Sequence, residues 1–209
     1  MIYIIRHGQT MKNKAKLLQG RSDIPLNTDG IRQAEAASKW FCAQNIRIDD
    51  VYASPLIRAV ETARIIAKDI EPHIEESLIE MDYGPYEGMD LTNPAPEILQ
   101  FFSDFVHNPA PDGMEPLEAV TARLGVFLEK IRRQAQEKNI LLSTHAIAMK
   151  GALEYLTPES RGSYWSKYVG NCTIYAVPVH EETYGIPYEV WNLKMAVSEE
   201  AAYDQSNGV

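Results

Sequence analysis

Ile2 to Ile5 form an unbroken apolar run of β-branched and aromatic residues, and the chain then turns polar at Arg6-His7-Gly8. Such a run predicts a buried strand with Arg6 and His7 at its C-terminal end. The pattern recurs at Asp50 to Ser54, and at Asn139 to Ser143, where Ile140-Leu141-Leu142 leads into Thr144-His145. Helical spacing separates these strands. Ile31, Ala34, Ala37, Ser38 and Phe41 share one face of a helix capped by Asn27 or Thr28 and running to about Asn45. Leu56, Ala59, Val60, Ala63, Ile66 and Ala67 share a face of a second, with Ser54 as its cap and Pro55 at its first position. Further helices are predicted from about Leu117 to Lys138 and from Ala146 to Leu156, with a closing strand pair at Thr173–Val179 and Tyr188–Leu193.

This alternation predicts an α/β fold: a three-layer sandwich with a mostly parallel central sheet and helices on both faces. Residues 1–209 read as a single domain. A less regular stretch begins at His73-Ile74-Glu75. Within it, Pro94, Pro96, Pro109, Pro111 and Pro116 punctuate a lid insertion over about 85–117, with a helix from Ala95 to Val106, covering one edge of the sheet. The tail from about 198 to 209 is polar and expected to fray.

With 45% hydrophobic residues the chain can bury a substantial core, and no apolar run approaches the roughly 18 residues that span a bilayer. The first strand starts at once, leaving no room for a signal peptide. Cys42, in a helix, and Cys172, in a strand, read as buried thiols of a cytoplasmic protein. The net charge of −9 weighs against nucleic acid or anionic membrane as partners. A phosphate ligand would need positive charge focused in one cleft. Arg6, His7, Arg58 and His145 supply it if the strand ends converge, since guanidinium groups grip phosphate oxygens in bidentate fashion. Glu80, in Leu78-Ile79-Glu80-Met81-Asp82-Tyr83-Gly84, adds a carboxyl that can protonate a leaving alkoxide; Asp82 is its rival. His73, His107 and His180 read as solvated, and Asn171 reads equally as a pocket or a turn residue.

These pieces, in this order, resemble the histidine phosphatases, the phosphoglycerate mutase-like superfamily. The resemblance rests on Arg6-His7-Gly8-Gln9-Thr10 with Asn13, Gln19-Gly20-Arg21-Ser22-Asp23-Ile24-Pro25-Leu26, Gly30 with Gln33-Ala34, and Ser54-Pro55-Leu56 with Arg58-Ala59. It continues through Glu61-Thr62-Ala63, Leu78, Glu80, Gly84, Glu87-Gly88 and Ser143-Thr144-His145. It implies that His7 attacks phosphorus to form a phosphohistidine. Arg6, Arg58 and His145 would hold the phosphoryl oxygens, and Glu80 would act as acid and then base. Asn13, Gln19 and Gly20 would line the substrate pocket, with no metal or cofactor. The sequence departs from the family at Ala146, where glycine usually follows the second histidine, and at Pro111-Asp112-Gly113-Met114-Glu115-Pro116, which follows the usual pattern only loosely.

Between Pro85 and Leu117 there is no lysine or arginine. A phosphoglycerate mutase of this family carries basic groups there for the second charged end of its substrate. The resemblance therefore implies a hydrolase of phosphomonoesters, with an α-ribazole-phosphate-like nucleotide or a small sugar phosphate among the candidates. The mutase and a non-catalytic phospho-ligand module are the alternatives. Tyr83, Tyr86, Met89, Phe101, Phe102 and Phe105 could give the lid an apolar wall, but near-helical spacing favours the phenylalanines simply packing the lid helix down. The expected partners are a small-molecule phosphomonoester and, at most, a second copy of the chain as a homodimer.

Overall fold

The computed structural model describes residues 1–181 and 183–195; the predicted frayed tail lies outside them. One six-stranded sheet has the order β3-β2-β4-β1-β5-β6. Strands β1 (Ile2–Arg6), β2 (Asp50–Ala53), β3 (His73–Ile74) and β4 (Ile140–Thr144) run parallel. Strands β5 (Ile174–Val177) and β6 (Tyr188–Trp191) close the sheet antiparallel. The two-residue β3 was not anticipated, because two exposed residues carry no periodicity.

The strand period of two sorts the core into two layers. Ile2 and Ile4 face α4 (Pro96–Ser103), α5 (Leu117–Glu137) and α6 (Ala146–Leu156). Tyr3 and Ile5 face α2 (Thr28–Ala43) and α3 (Ile57–Ile66). The three-layer α/β sandwich is therefore present, with helices on both faces. A four-residue helical turn, α1 (Met11–Lys14), interrupts the loop after β1.

Local chemistry moved several predicted boundaries. Asn27 caps α2 through its side chain, as expected, but α2 ends at Ala43, short of Asn45. The helix assigned to Ser54-Pro55 begins only at Ile57. The Ser54 hydroxyl instead contacts the His145 ring and accepts from the Leu56 N–H, and the Ile57 N–H is capped at 2.6 Å by Asp23 from a distant loop. Cys172 lies in a turn with φ +54°, not in a strand, and Cys42 is exposed. The lid helix α4 stops at Ser103, short of Val106. Its Ile98 and Phe101 are fully buried in the core shared with α5, so the segment is an integral part of the fold.

Gly8 and Gly30 let the loop after β1 lie directly on the start of α2. A Cβ on Gly8 would stand 2.4 Å from the Gly30 carbonyl, and one on Gly30 would stand 2.1 Å from that of Gln9. Only glycine permits this approach, and it fixes where the chain leaves β1.

Candidate active site

Three neighbouring strands end at one level. Arg6 pairs with Thr144, the His7 N–H donates to the Thr144 carbonyl at 2.9 Å, and the Ser54 N–H donates to the Ser143 carbonyl at 3.0 Å. His7, His145 and Ser54 therefore meet at the C-terminal edge of the sheet, where open α/β sheets bind ligands. The two imidazole rings lie 5.1 Å apart.

A hydrogen bond to a carbonyl fixes the tautomer of His7. His7 Nδ1 is 2.6 Å from the Gly8 carbonyl, which can only accept, so Nδ1 carries the proton and Nε2 keeps its lone pair. His145 Nε2 is 2.7 Å from the Ser54 hydroxyl, and that oxygen already accepts from Leu56. That hydroxyl can donate to or accept from Nε2, so either tautomer of His145 makes this contact; the other ring nitrogen is Nδ1. That atom is buried and has no hydrogen-bond partner among the described residues, as are Arg6 Nε and Gln19 Nε2. Leaving donors such as the last two unpaired is costly, and an oxyanion would satisfy them.

Arg58 is fully buried behind His7. It is the second residue of α3. Its Nε is 3.2 Å from His7 Nε2, and its two amino groups donate to the carbonyls of Ser22 at 2.7 Å and Gly20 at 2.6 Å. Burial pushes its pKa down to about 10, which leaves it charged at neutral pH. Of the predicted site residues Arg6, His7, Asn13, Gln19 and Glu80 line the cavity; Arg58 and His145 lie fully buried behind this lining, and Gly20 anchors Arg58. Asn171 resolves toward positioning: its amide donates to the His7 carbonyl at 3.0 Å and to Asn13 at 3.3 Å.

Glu80, not Asp82, reaches the site. Its carboxylate accepts from the N–H groups of Met81 (2.8 Å), Ala148 (3.0 Å) and Ile147 (3.2 Å), the last two in the first turn of α6, where unpaired N–H groups favour an anion. Asp82 faces outward onto Arg21. Arg21 also binds Glu115, whose carboxylate takes Arg123 and the Asp82 N–H. The loosely matching stretch before α5 therefore clamps the loop that carries Glu80. Glu87 does the same for the opposite wall, accepting from Gly20 N–H, Ser22 and Lys12.

The cavity in front of His7 measures about 360 Å³. Phe102 and Phe105 line it, so these two phenylalanines do form an apolar wall and only Phe101 packs wholly inward. Lys150, which sequence inspection passed over, lines the cavity too.

Burial, reinforced by the nearby Arg58, holds both His7 and His145 well below the ordinary imidazole value. Both are therefore neutral at pH 7 in the folded protein. The unfolded chain takes up these protons as pH drops through about 6.5, so it binds more protons than the folded state below that point. This contribution to stability is complete above about pH 6.5 and is lost as pH falls below it. The urea midpoint is expected to decline between pH 7 and pH 5, and His145→Gln to flatten the decline by removing one of the two rings. A wild-type midpoint that does not move over this range would contradict the assignment.

The residues 2–192 match the family model of the histidine phosphatase superfamily, branch 1. The chain is 34% identical over 154 residues to the uncharacterized phosphatase PhoE of Bacillus subtilis, covering 73% of this chain and 75% of that protein. It is 28% identical over 169 residues to the adenosylcobalamin/alpha-ribazole phosphatase of Salmonella typhimurium, covering 78% and 83%. Among solved structures, a mutant phosphoserine phosphatase of Entamoeba histolytica in complex with phosphoserine superposes with a TM-score of 0.77 at 26% identity, covering 94% of this chain and 98% of that one. The chain therefore belongs to the histidine phosphatase superfamily, branch 1, as a phosphatase.

Proposed function

We propose that the chain hydrolyses small phosphomonoesters through a phosphohistidine formed on Nε2 of His7. The observation that carries this reading is the pairing of His7 Nδ1 with the Gly8 carbonyl, which leaves Nε2 unprotonated, accepting from Arg58 Nε at 3.2 Å and sharing a cavity with the unpartnered Arg6 Nε and Gln19 Nε2. In the first step Nε2 attacks phosphorus, the bond from phosphorus to the ester oxygen breaks, and that oxygen takes a proton from Glu80. A bound phosphate dianion favours the protonated form of a neighbouring carboxyl by like-charge repulsion. In the second step water attacks phosphorus, Glu80 takes the water's proton, and the P–N bond breaks to return His7 and release phosphate. Arg6, Arg58 and His145 stabilise the charge on the equatorial oxygens in both steps. Asn13 and Gln19 orient the ester.

The lid carries no lysine or arginine, which favours a hydrolase over a mutase that must retain a second phosphoryl group. The relatives named for phosphoserine and for α-ribazole phosphate support a small phosphorylated metabolite as substrate. Among the described residues no helix is long and apolar enough to cross a membrane. With its unpaired cysteines this supports a cytoplasmic setting. The test is rapid-quench trapping with a ³²P-labelled ester. Wild-type protein is expected to carry label that survives alkali and is released in mild acid, as an N–P bond requires. Turnover without such a species would refute the phosphohistidine.

A further inference from the structure

Lys150 is a lysine in the wrong place for a solvated one. It stands on α6 five residues after His145, about 7.5 Å further along the helix axis at 1.5 Å per residue. Only 9% of it is exposed. Its side chain lines the same cavity as His7 and Glu80, against the Phe105 side of the apolar wall. An ammonium has three donors. Here Nζ makes one hydrogen bond, to the Trp165 carbonyl at 2.7 Å, and lies 5.1 Å from the centre of the Phe105 ring. No carboxylate among the described residues comes within 4.0 Å of it. Long cationic side chains on a helix normally run their heads out to water, and a buried one without an ion pair is costly unless it has a task.

We propose that Lys150 determines substrate specificity by receiving an anionic oxygen group on the leaving alcohol, so that the preferred substrates are phosphomonoesters bearing a carboxylate or second phosphate. This rests on the hydrolase reading above and sharpens it. The absence of basic residues from the lid does not leave the cavity without a further cation; it comes from α6. The charged groups facing Lys150 are Glu80, on the loop before the lid, and Arg6, at the end of β1. Burial lowers its pKa to about 8, so the ammonium prevails at neutral pH and is lost in mild alkali.

The test uses a pair of esters with the same three-carbon skeleton, 3-phosphoglycerate and glycerol 3-phosphate, which differ by a carboxylate in place of a hydroxymethyl group. The wild-type ratio of kcat/KM for the first over the second is expected to be about 10 or more, on the strength of one charge-assisted hydrogen bond. Lys150→Met should bring the ratio near unity, chiefly through KM. In wild-type protein the ratio should fall as pH rises through about 8, since both esters are dianionic at the phosphate and that dependence cancels. A ratio near unity in wild-type protein, or equal losses on both esters in Lys150→Met, would overturn the assignment and leave a structural tie to Trp165. Turnover of p-nitrophenyl phosphate checks the hydrolase reading separately. Calorimetric binding of both esters to His7→Ala protein reads the preference without any turnover: tighter binding of 3-phosphoglycerate supports Lys150 even if hydrolysis fails, and equal binding refutes it.

Discussion

Replacing His7 by alanine is expected to reduce phosphate release from any ester by at least about 10,000-fold, the scale on which removal of a covalent nucleophile acts. The site leaves no substitute. His145 is the only other imidazole in the site, and it is fully buried with its Nε2 engaged by the Ser54 hydroxyl. Cys172, near Arg6, is fully buried, and its thiol is pushed up to about 12, which leaves it unreactive at neutral pH. The fold should tolerate the change, because the core layers on both faces of β1 are made by Ile2, Tyr3, Ile4 and Ile5. The Gly8 carbonyl loses a donor and Arg58 Nε an acceptor, a loss of order 1–3 kcal/mol. Steady-state kinetics with circular dichroism check both parts. Turnover by His7→Ala within about tenfold of wild type would end the case for His7 as nucleophile.

The second large effect falls on Glu80 and depends on the leaving group. Glu80→Gln keeps the shape of the side chain but supplies no transferable proton. For glycerol 3-phosphate, whose alkoxide leaves poorly, the loss in kcat/KM is expected to be about 100- to 10,000-fold. For p-nitrophenyl phosphate the leaving oxygen needs no proton, so the phosphorylation step should stay fast. Loss of the base then stalls the second step, and a burst of nitrophenolate with stable phosphoenzyme is the expected signature. Equal losses on the two esters, with no burst, would show that Glu80 acts through structure and not through proton transfer. Glutamine also replaces one acceptor oxygen with a donor, opposite the N–H groups of Met81, Ala148 and Ile147. The urea midpoint should be measured alongside to separate that cost.

The chemical centre could be read from the sequence because it follows from local rules. A short run of β-branched and aromatic residues reads as a buried strand, and where such strands run parallel the polar residues that end them emerge at one sheet edge. That reasoning places Arg6, His7 and His145 at the strand ends, while their catalytic roles came from the resemblance to the family. What escaped it depends on residues far apart in the chain. The first turn of α3 is capped by Asp23, which lies more than thirty residues earlier, so the local Ser54-Pro55 signal misplaced its start. Cys172 sits in a left-handed turn that its alternating neighbours do not announce. Lys150 was passed over because its burial comes from Phe105 and Trp165, brought to it by separate segments. Phe102 and Phe105 looked like packing residues because helical spacing cannot say which side of a helix meets a cavity. Glu115 and Glu87 work through ion pairs and hydrogen bonds that exist only after the chain has closed.

The guanidinium of Arg58 is held by backbone carbonyls and an imidazole, and among the described residues neither it nor Arg6 has a carboxylate within 4.0 Å. Neutral acceptors fix the position of a charge without cancelling it. An arriving ester therefore displaces no internal counter-ion, and the cost of gathering these cations was met when the chain folded. Inorganic phosphate, as the dianion that leaves last, enjoys the same welcome as the substrate. On the proposed mechanism inorganic phosphate is therefore expected to inhibit competitively, and steady-state rates in its presence check this.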